Sequence, residues 1–195
     1  MLRMALFLLL TVKSVFSRDE SAEFLEVLND LRAKPADSLD YVRKTFLPFY
    51  VKNIGIDLRR LVELQIFLGK APLRQPFKHN AHIAEFAAAQ AKNFSTNSPS
   101  HISAKAGLAR QGVTVPALYR VQGSFSKDVS STMNMILLLV VGKPGDDWGV
   151  RDVLLGLKQG HIGVGISSLN DRVFVSALLA ESLSEMRSFL PDSGV

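Results

Sequence analysis

From His161 to Ser167 the chain sets Ile162, Val164 and Ile166 at alternate positions and fills the places between them with Gly163, Gly165 and Ser167. Alternation of this kind predicts a strand with one apolar face. Glycines on the other face mark a place where a second element approaches the backbone closely. The β-rich run Arg172 to Leu179 follows across Leu169-Asn170-Asp171, which predicts a hairpin. The same context excludes a dinucleotide loop, whose glycine turn must lie between a strand and a helix so that the helix N-terminus meets the pyrophosphate. Here strand leads to strand.

Ahead of the hairpin the apolar periodicity is helical. Ser21 to Lys34 sets Phe24, Leu25, Val27, Leu28 and Leu31 at helical spacing, with Ser21 as the cap and Pro35 as the stop. A short helix is predicted from Ala36 to about Phe46, ended by Pro48. Asp57 to Leu68 places Leu58, Leu61, Val62, Leu64 and Phe67 along one face before Gly69 stops it. Asn80 to Phe94 groups Ile83, Phe86, Ala87 and Ala91, with an alanine-rich centre that lets a neighbour come close. Ser95 to Gly112 is punctuated by Ser, Asn, Pro and Gly and reads as a long loop. Lys127 to Val141 turns from polar to wholly apolar, as in a helix entering a core, and Gly142-Lys143-Pro144-Gly145 breaks it. Asp146 or Asp147 then caps a short helix around Arg151 to Leu157, and Val113 to Phe125 offers a further strand.

The chain holds 195 residues, 47% of them hydrophobic and 21% charged, and no cysteine. That length suits one domain that buries its core without covalent staples. The lack of cysteine excludes a disulfide framework, a thiol nucleophile, an iron–sulfur cluster and a cysteine zinc site. Met1 to Ser17 opens with Arg3, runs through an apolar stretch from Ala5 to Val12, and reaches Val15-Phe16-Ser17 before Arg18-Asp19-Glu20. This is the pattern of a secretory signal peptide cleaved after Ser17. Its apolar run falls well short of the roughly twenty residues that cross a bilayer, as does Met135 to Val141. The expectation is a secreted, extracellular protein with a signal peptide over 1–17, one domain over 18–195 and no transmembrane helix after signal removal. In a eukaryotic host Asn93-Phe94-Ser95 makes Asn93 a glycosylation site.

The formal charge of +5, from 23 Lys and Arg against 18 Asp and Glu, forms no basic stripe interleaved with aromatic residues. Nucleic acid is therefore not an expected partner. From Phe86 to Lys127 there is no acid, while Lys92, Lys105, Arg110, Arg120 and Lys127 lie inside the stretch; chance in a Ser- and Ala-rich segment explains this better than a surface meeting an anionic partner. His79, His82 and Glu85 form a drifting stripe at helical spacing, the ordinary pattern of a solvated face. Asp146-Asp147 fits a helix cap better than a cation site. No Gly-x-Ser-x-Gly elbow or P-loop occurs. His101, in Ser98-Pro99-Ser100-His101, opens the loop within the acid-free stretch.

Taken in order, these segments are similar to the CAP superfamily, the secreted SCP/PR-1-like domains, over residues 28–181. The similarity rests on Leu28-Asn29-Asp30-Leu31-Arg32-Ala33-Lys34-Pro35, on Glu63 to Leu68 followed by Pro72-Leu73, and on the alanine-rich helix leading to Ser100-His101 with Gly107 and Arg110 downstream. It continues through Leu137 to Gly142, Trp148-Gly149-Val150-Arg151-Asp152-Val153-Leu154-Leu155 and Ile162-Gly163-Val164-Gly165. The resemblance implies an α/β fold, a three-layer α-β-α sandwich, with a cleft where relatives hold a divalent metal on two histidines and one or two glutamates. His101 matches the first histidine. Val150 stands in place of the second, and the family's Gly-Glu-Asn segment falls near Val121-Gln122-Gly123-Ser124, which has no acid. His161 would be the substitute nitrogen. A zinc-like site needs about three converging ligands, so the site is expected to be degenerate, with no metal or other cofactor, no catalytic residue, and His101 in a binding cleft. The implied function is a secreted, non-enzymatic module that binds a small apolar ligand or a protein partner. The alternatives are a metal-dependent or serine-type hydrolase of the same fold using His101, and a structural or interaction protein.

Overall fold

The computed structural model describes residues 19–54, 58–98, 103–129, 131–142, 149–157 and 160–185. The expected signal segment over 1–17, His101, and the Asp146-Asp147 cap lie outside the described residues. The first helix among the described residues, α1 (Glu20–Ala33), buries Phe24, Leu28, Leu31 and Arg32. Its cap is Asp19 and not Ser21: the chain is extended at Asp19, whose carboxylate accepts from the Ser21 amide, so Ser21 already lies in the first turn.

Pro48 does not end the next helix. A 3-10 turn (Pro35–Ser38) leads into α2 (Leu39–Tyr41), a wide π turn (Val42–Phe46) and α3 (Leu47–Asn53), with Pro48 in the first turn of α3. The Leu47 amide donates to the Val42 carbonyl five residues back. That widened turn carries the chain past a ring that has no N–H to give and would clash inside a regular helix. Helix α4 (Leu58–Lys70) runs on through Gly69, which weakens a helix without forbidding it. It buries Leu61, Leu64 and Leu68 but exposes Leu58 and Val62, so the single apolar face expected here is two faces.

A short strand, β1 (Lys78–His79), precedes α5 (Ala81–Ser95), where the Asn80 side chain caps the Ile83 amide at 3.0 Å. The expected loop over Ser95 to Gly112 contains a helix, α6 (Ala104–Arg110), because Ser103 caps the Ala106 amide at 3.1 Å. The remaining elements are β2 (Val113–Thr114), β3 (Tyr119–Ser126), α7 (Thr132–Val141), α8 (Gly149–Arg151) with a π turn (Asp152–Gly156), β4 (His161–Leu169), β5 (Arg172–Ala180) and β6 (Ser184–Glu185). Lys127 to Val129 belongs to a turn rather than to α7: the Lys127 amide donates to the Asp171 carbonyl at 2.8 Å, joining β3 to the hairpin.

The main sheet has the order β1-β4-β5-β3. β4 and β5 form the expected antiparallel hairpin, with Asn170 at φ +54° in its turn; β3 pairs antiparallel with β5, and β1 pairs parallel with β4. The chain is thus α/β with a mixed sheet. β2 and β6 make a separate antiparallel pair. Val121, Val164, Val175, Ala177 and Leu179 share one apolar cluster with residues of α1, α4 and α7. Leu178 and Ala180 join the other, with Ile83 and Ala87 of α5 and Leu108 of α6.

Against that second face, the glycine pattern meets the alanine-rich helix. A Cβ on Gly163 would overlap the backbone at Ala84, and one on Gly165 the backbone at Ala87 and Ala88. On the other side, buried Arg32 ties α1 to distant loops. Its Nη1 donates to the Leu154 carbonyl at 2.6 Å, its Nη2 to the Leu157 and Gln75 carbonyls at 2.7 and 2.9 Å, and the guanidinium lies 3.6 Å from the centre of the Phe77 ring. Asn29 adds a reciprocal pair: the Phe77 amide donates to its Oδ1 at 2.8 Å and its Nδ2 donates to the Phe77 carbonyl at 3.2 Å.

Three substitutions test this packing. Gly163→Ala is expected to destabilise the fold by about 3 kcal/mol in denaturant unfolding, because helix and strand backbones must separate to admit a methyl. Gly69→Ala, whose Cβ would meet nothing nearer than Leu39 at 3.6 Å, is expected to stabilise by about 0.5 kcal/mol. Arg32→Met leaves buried carbonyls without donors and is expected to cost about 3 kcal/mol in the same measurement.

Candidate functional site

β1 ends at His79, and beyond Ile162 no other described strand pairs with the outer edge of β4. α1 and α5 border this edge and leave a cleft of about 730 Å³. Its apolar lining is Ala22 and Leu25 of α1, Ala81, Ala84 and Ala88 of α5, and Val164 of β4. Its polar lining is Asp19, Ser21, Glu26, Asn29, His79 and Glu85. The sequence reading missed this cleft as a unit. Alanines at 81, 84 and 88 strip one side of α5 of bulk at the spacing of neighbouring helical positions, and that was the available signal.

His79, His82 and Glu85 are all exposed, as expected of a solvated face, but they do not share one helix. His79 lies in β1, before the helix begins at Ala81. His82 and Glu85 instead meet the same side chain at the end of α6: the His82 Nδ1 donates to the Gln111 Oε1 at 3.1 Å, and the Gln111 Nε2 donates to the Glu85 Oε2 at 3.4 Å. Among the described residues no group of three or more histidines or carboxylates converges as a metal-binding set, and no helix is long and apolar enough to cross a membrane.

Of the positions matched by the resemblance, His101 lies outside the described residues. Val150, on α8, is half-buried against the main core. Gln122 lies on β3 and lines a second cleft of about 310 Å³ with Gln90, Asn93, Phe94, Asn97, Ser98 and Arg120. At the next position, Gly123, a Cβ would fall 2.6 Å from the Phe125 ring and 2.7 Å from Leu139, so no larger side chain fits there without displacing them. His161 opens β4, in register with Lys78 and Ala180. Asn93 is half-buried on the last turn of α5 and faces this second cleft. The cations of the acid-free stretch are spread over α5, α6, β3 and the turn after it, and Lys105 donates to the Pro116 carbonyl at 2.9 Å.

The second cleft rests on a buried polar pair, in which the Ser176 hydroxyl of β5 donates to the Gln90 Oε1 of α5 at 3.3 Å. Ser176→Val alone is expected to cost about 1–2 kcal/mol in thermal or denaturant unfolding, because it strands the Gln90 amide. Combining it with Gln90→Leu is expected to recover most of that loss, since neither partner is then left unsatisfied. Compared with known proteins, the chain matches no family model, no curated protein and no solved structure.

Proposed function

We propose that the chain is a divergent CAP-like domain, a three-layer α-β-α sandwich, acting as a secreted, non-enzymatic binding module for an uncharged small apolar ligand. The observation that carries this reading is the cleft between α1 and α5. Its volume of about 730 Å³ falls in the range of roughly 300–1,000 Å³ found for small-molecule sites. Methyl and branched aliphatic groups supply one half of its lining residues, and polar side chains that would orient a ligand supply the other half. Carboxylates of Asp19, Glu26 and Glu85 line the same space. They disfavour an acidic headgroup and favour a hydroxyl, which hydrogen-bonds to a carboxylate without repulsion. A sterol-like ligand therefore suits the cleft better than a fatty acid.

Two further features support the module over a catalyst. The sheet carries helices against two separate apolar clusters, as a layered sandwich requires. At the positions matched to the family's metal ligands stand a hydrocarbon packed into the core, Val150, and a neutral amide beside a glycine with no room for a side chain, Gln122 and Gly123. Those residues do not fit a divalent metal, which would call for carboxylate or imidazole. His101, by the resemblance, would then contribute to binding.

The test is a titration with dehydroergosterol, a fluorescent sterol, against a fluorescent fatty acid. Saturable sterol binding at micromolar concentration is expected, with the fatty acid at least about tenfold weaker, equivalent to about 1.4 kcal/mol. Ala88 is exposed and lines the cleft, so Ala88→Trp fills it from the solvent side and is expected to abolish sterol binding with an unchanged melting temperature. Binding that is absent in the natural chain, or indifferent to the tryptophan, overturns the reading.

A further inference from the structure

Helix α4 leaves a second apolar surface that the fold does not cover. Leu58, Val62 and Ile66 follow one another at four-residue spacing and are 51%, 53% and 54% exposed. Lys70 continues the same row. Pro72 shares a shallow groove with Ile66 and Lys70, and the next residue, Leu73, is 75% exposed. Isolated exposed aliphatics are ordinary on protein surfaces, but a continuous row on one helix marks an interaction site.

We propose that this face docks the protein on an anionic lipid surface. Charge decides the partner. From Arg43 to Lys78 the sequence carries eight Lys and Arg against two acids, Asp57 and Glu63, so this one segment outweighs the formal +5 of the whole chain. The cations sit where such a surface needs them. Lys70 extends the row, and Arg59 lies between Ile66 and Lys70 in angle, in an ion pair with Glu63 at 3.0 Å. On the opposite flank Arg43 donates to the Gln65 Oε1 at 3.4 Å, which brings a guanidinium alongside the helix. Lys44 is paired in the same way, with Asp40 at 2.8 Å.

The row is a strip of exposed aliphatic side chains with long basic ones beside it. That is the side-chain distribution of a helix lying in a headgroup layer, with its apolar groups entering the acyl boundary and its cations meeting lipid phosphates. The inference is independent of the cleft reading, because α4 contributes no residue to that cleft.

Co-sedimentation of the full chain with vesicles tests it. Binding is expected to vesicles of phosphatidylcholine containing about 30% phosphatidylserine, and to weaken steeply as salt rises through a few tenths molar. Pure phosphatidylcholine vesicles are expected to bind at least about tenfold more weakly. Val62→Glu with Ile66→Glu is expected to reduce binding to the anionic vesicles at least tenfold while leaving the melting temperature unchanged, since both side chains are exposed. Leu73→Glu, outside any helix, repeats the test where helix stability is not at issue. Vesicle binding that is absent, or equal in the natural and substituted chains, overturns the proposal. So does a concentration-dependent dimer in sedimentation velocity that the same substitutions break, because the strip would then join two copies of this chain.

Discussion

A guanidinium taken out of water must find its hydrogen-bond partners inside the protein, and Arg32 finds them on segments far away in sequence. It gathers the carbonyls of Gln75, Leu154 and Leu157 around one residue of α1 and lies against the Phe77 ring. Burial, and after it the nearby charge of Arg74, lowers its pKa to about 10, so it remains a cation at neutral pH. Each acceptor is a main-chain oxygen, and the network fixes backbone rather than side chains. The connection before β1 and the turn before β4 are thereby held to the same helix. β1 then lies beside β4 with Lys78 opposite His161, and the sheet edge that borders the larger cleft is set.

The opposite face depends on the absence of atoms. Gly163 and Gly165 leave β4 bare where α5 crosses it, and the helix presents main chain at Ala84, Ala87 and Ala88 in return. Helix and sheet usually meet through interlocking side chains. Here backbone lies on backbone, and the apolar cluster of Ile83, Ala87 and Leu178 surrounds the contact. The two faces of one strand therefore obey different rules: Ile162 and Val164 fill space toward α1, while the glycines concede it toward α5.

The legible parts of the sequence were those in which one period decided the outcome. The β4–β5 hairpin, α5 and the close approach at the glycines all follow from local pattern. Pro48 misled because a proline forbids only a regular turn, and the π turn over Val42 to Phe46 is not encoded by any residue type. The helix at Ala104 was hidden by its flanking serines and prolines, although Ser103 is a proper cap. Leu58 and Val62 misled in another way: periodicity shows that a helix has apolar positions but not how many of them the fold has room to cover. The site was least legible. Its walls come from α1, α5 and β4, separated by some sixty residues and more, and alanines carry no chemical signature of their own. Val150 and Gln122 stood out only because a family resemblance supplied something to compare them with.

The bare crossing of α5 over β4 also decides which parts of the molecule are free to change. A contact made by main chain has no side chain to trim or enlarge, so the distance between that helix and the sheet is a constant of the fold. The opposing wall, where Ala22, Leu25 and Glu26 project from α1, is under no such restraint. Descendants of this chain that came to accept guests of another size would be expected to carry their differences there, on the first helix, and to leave the glycines alone.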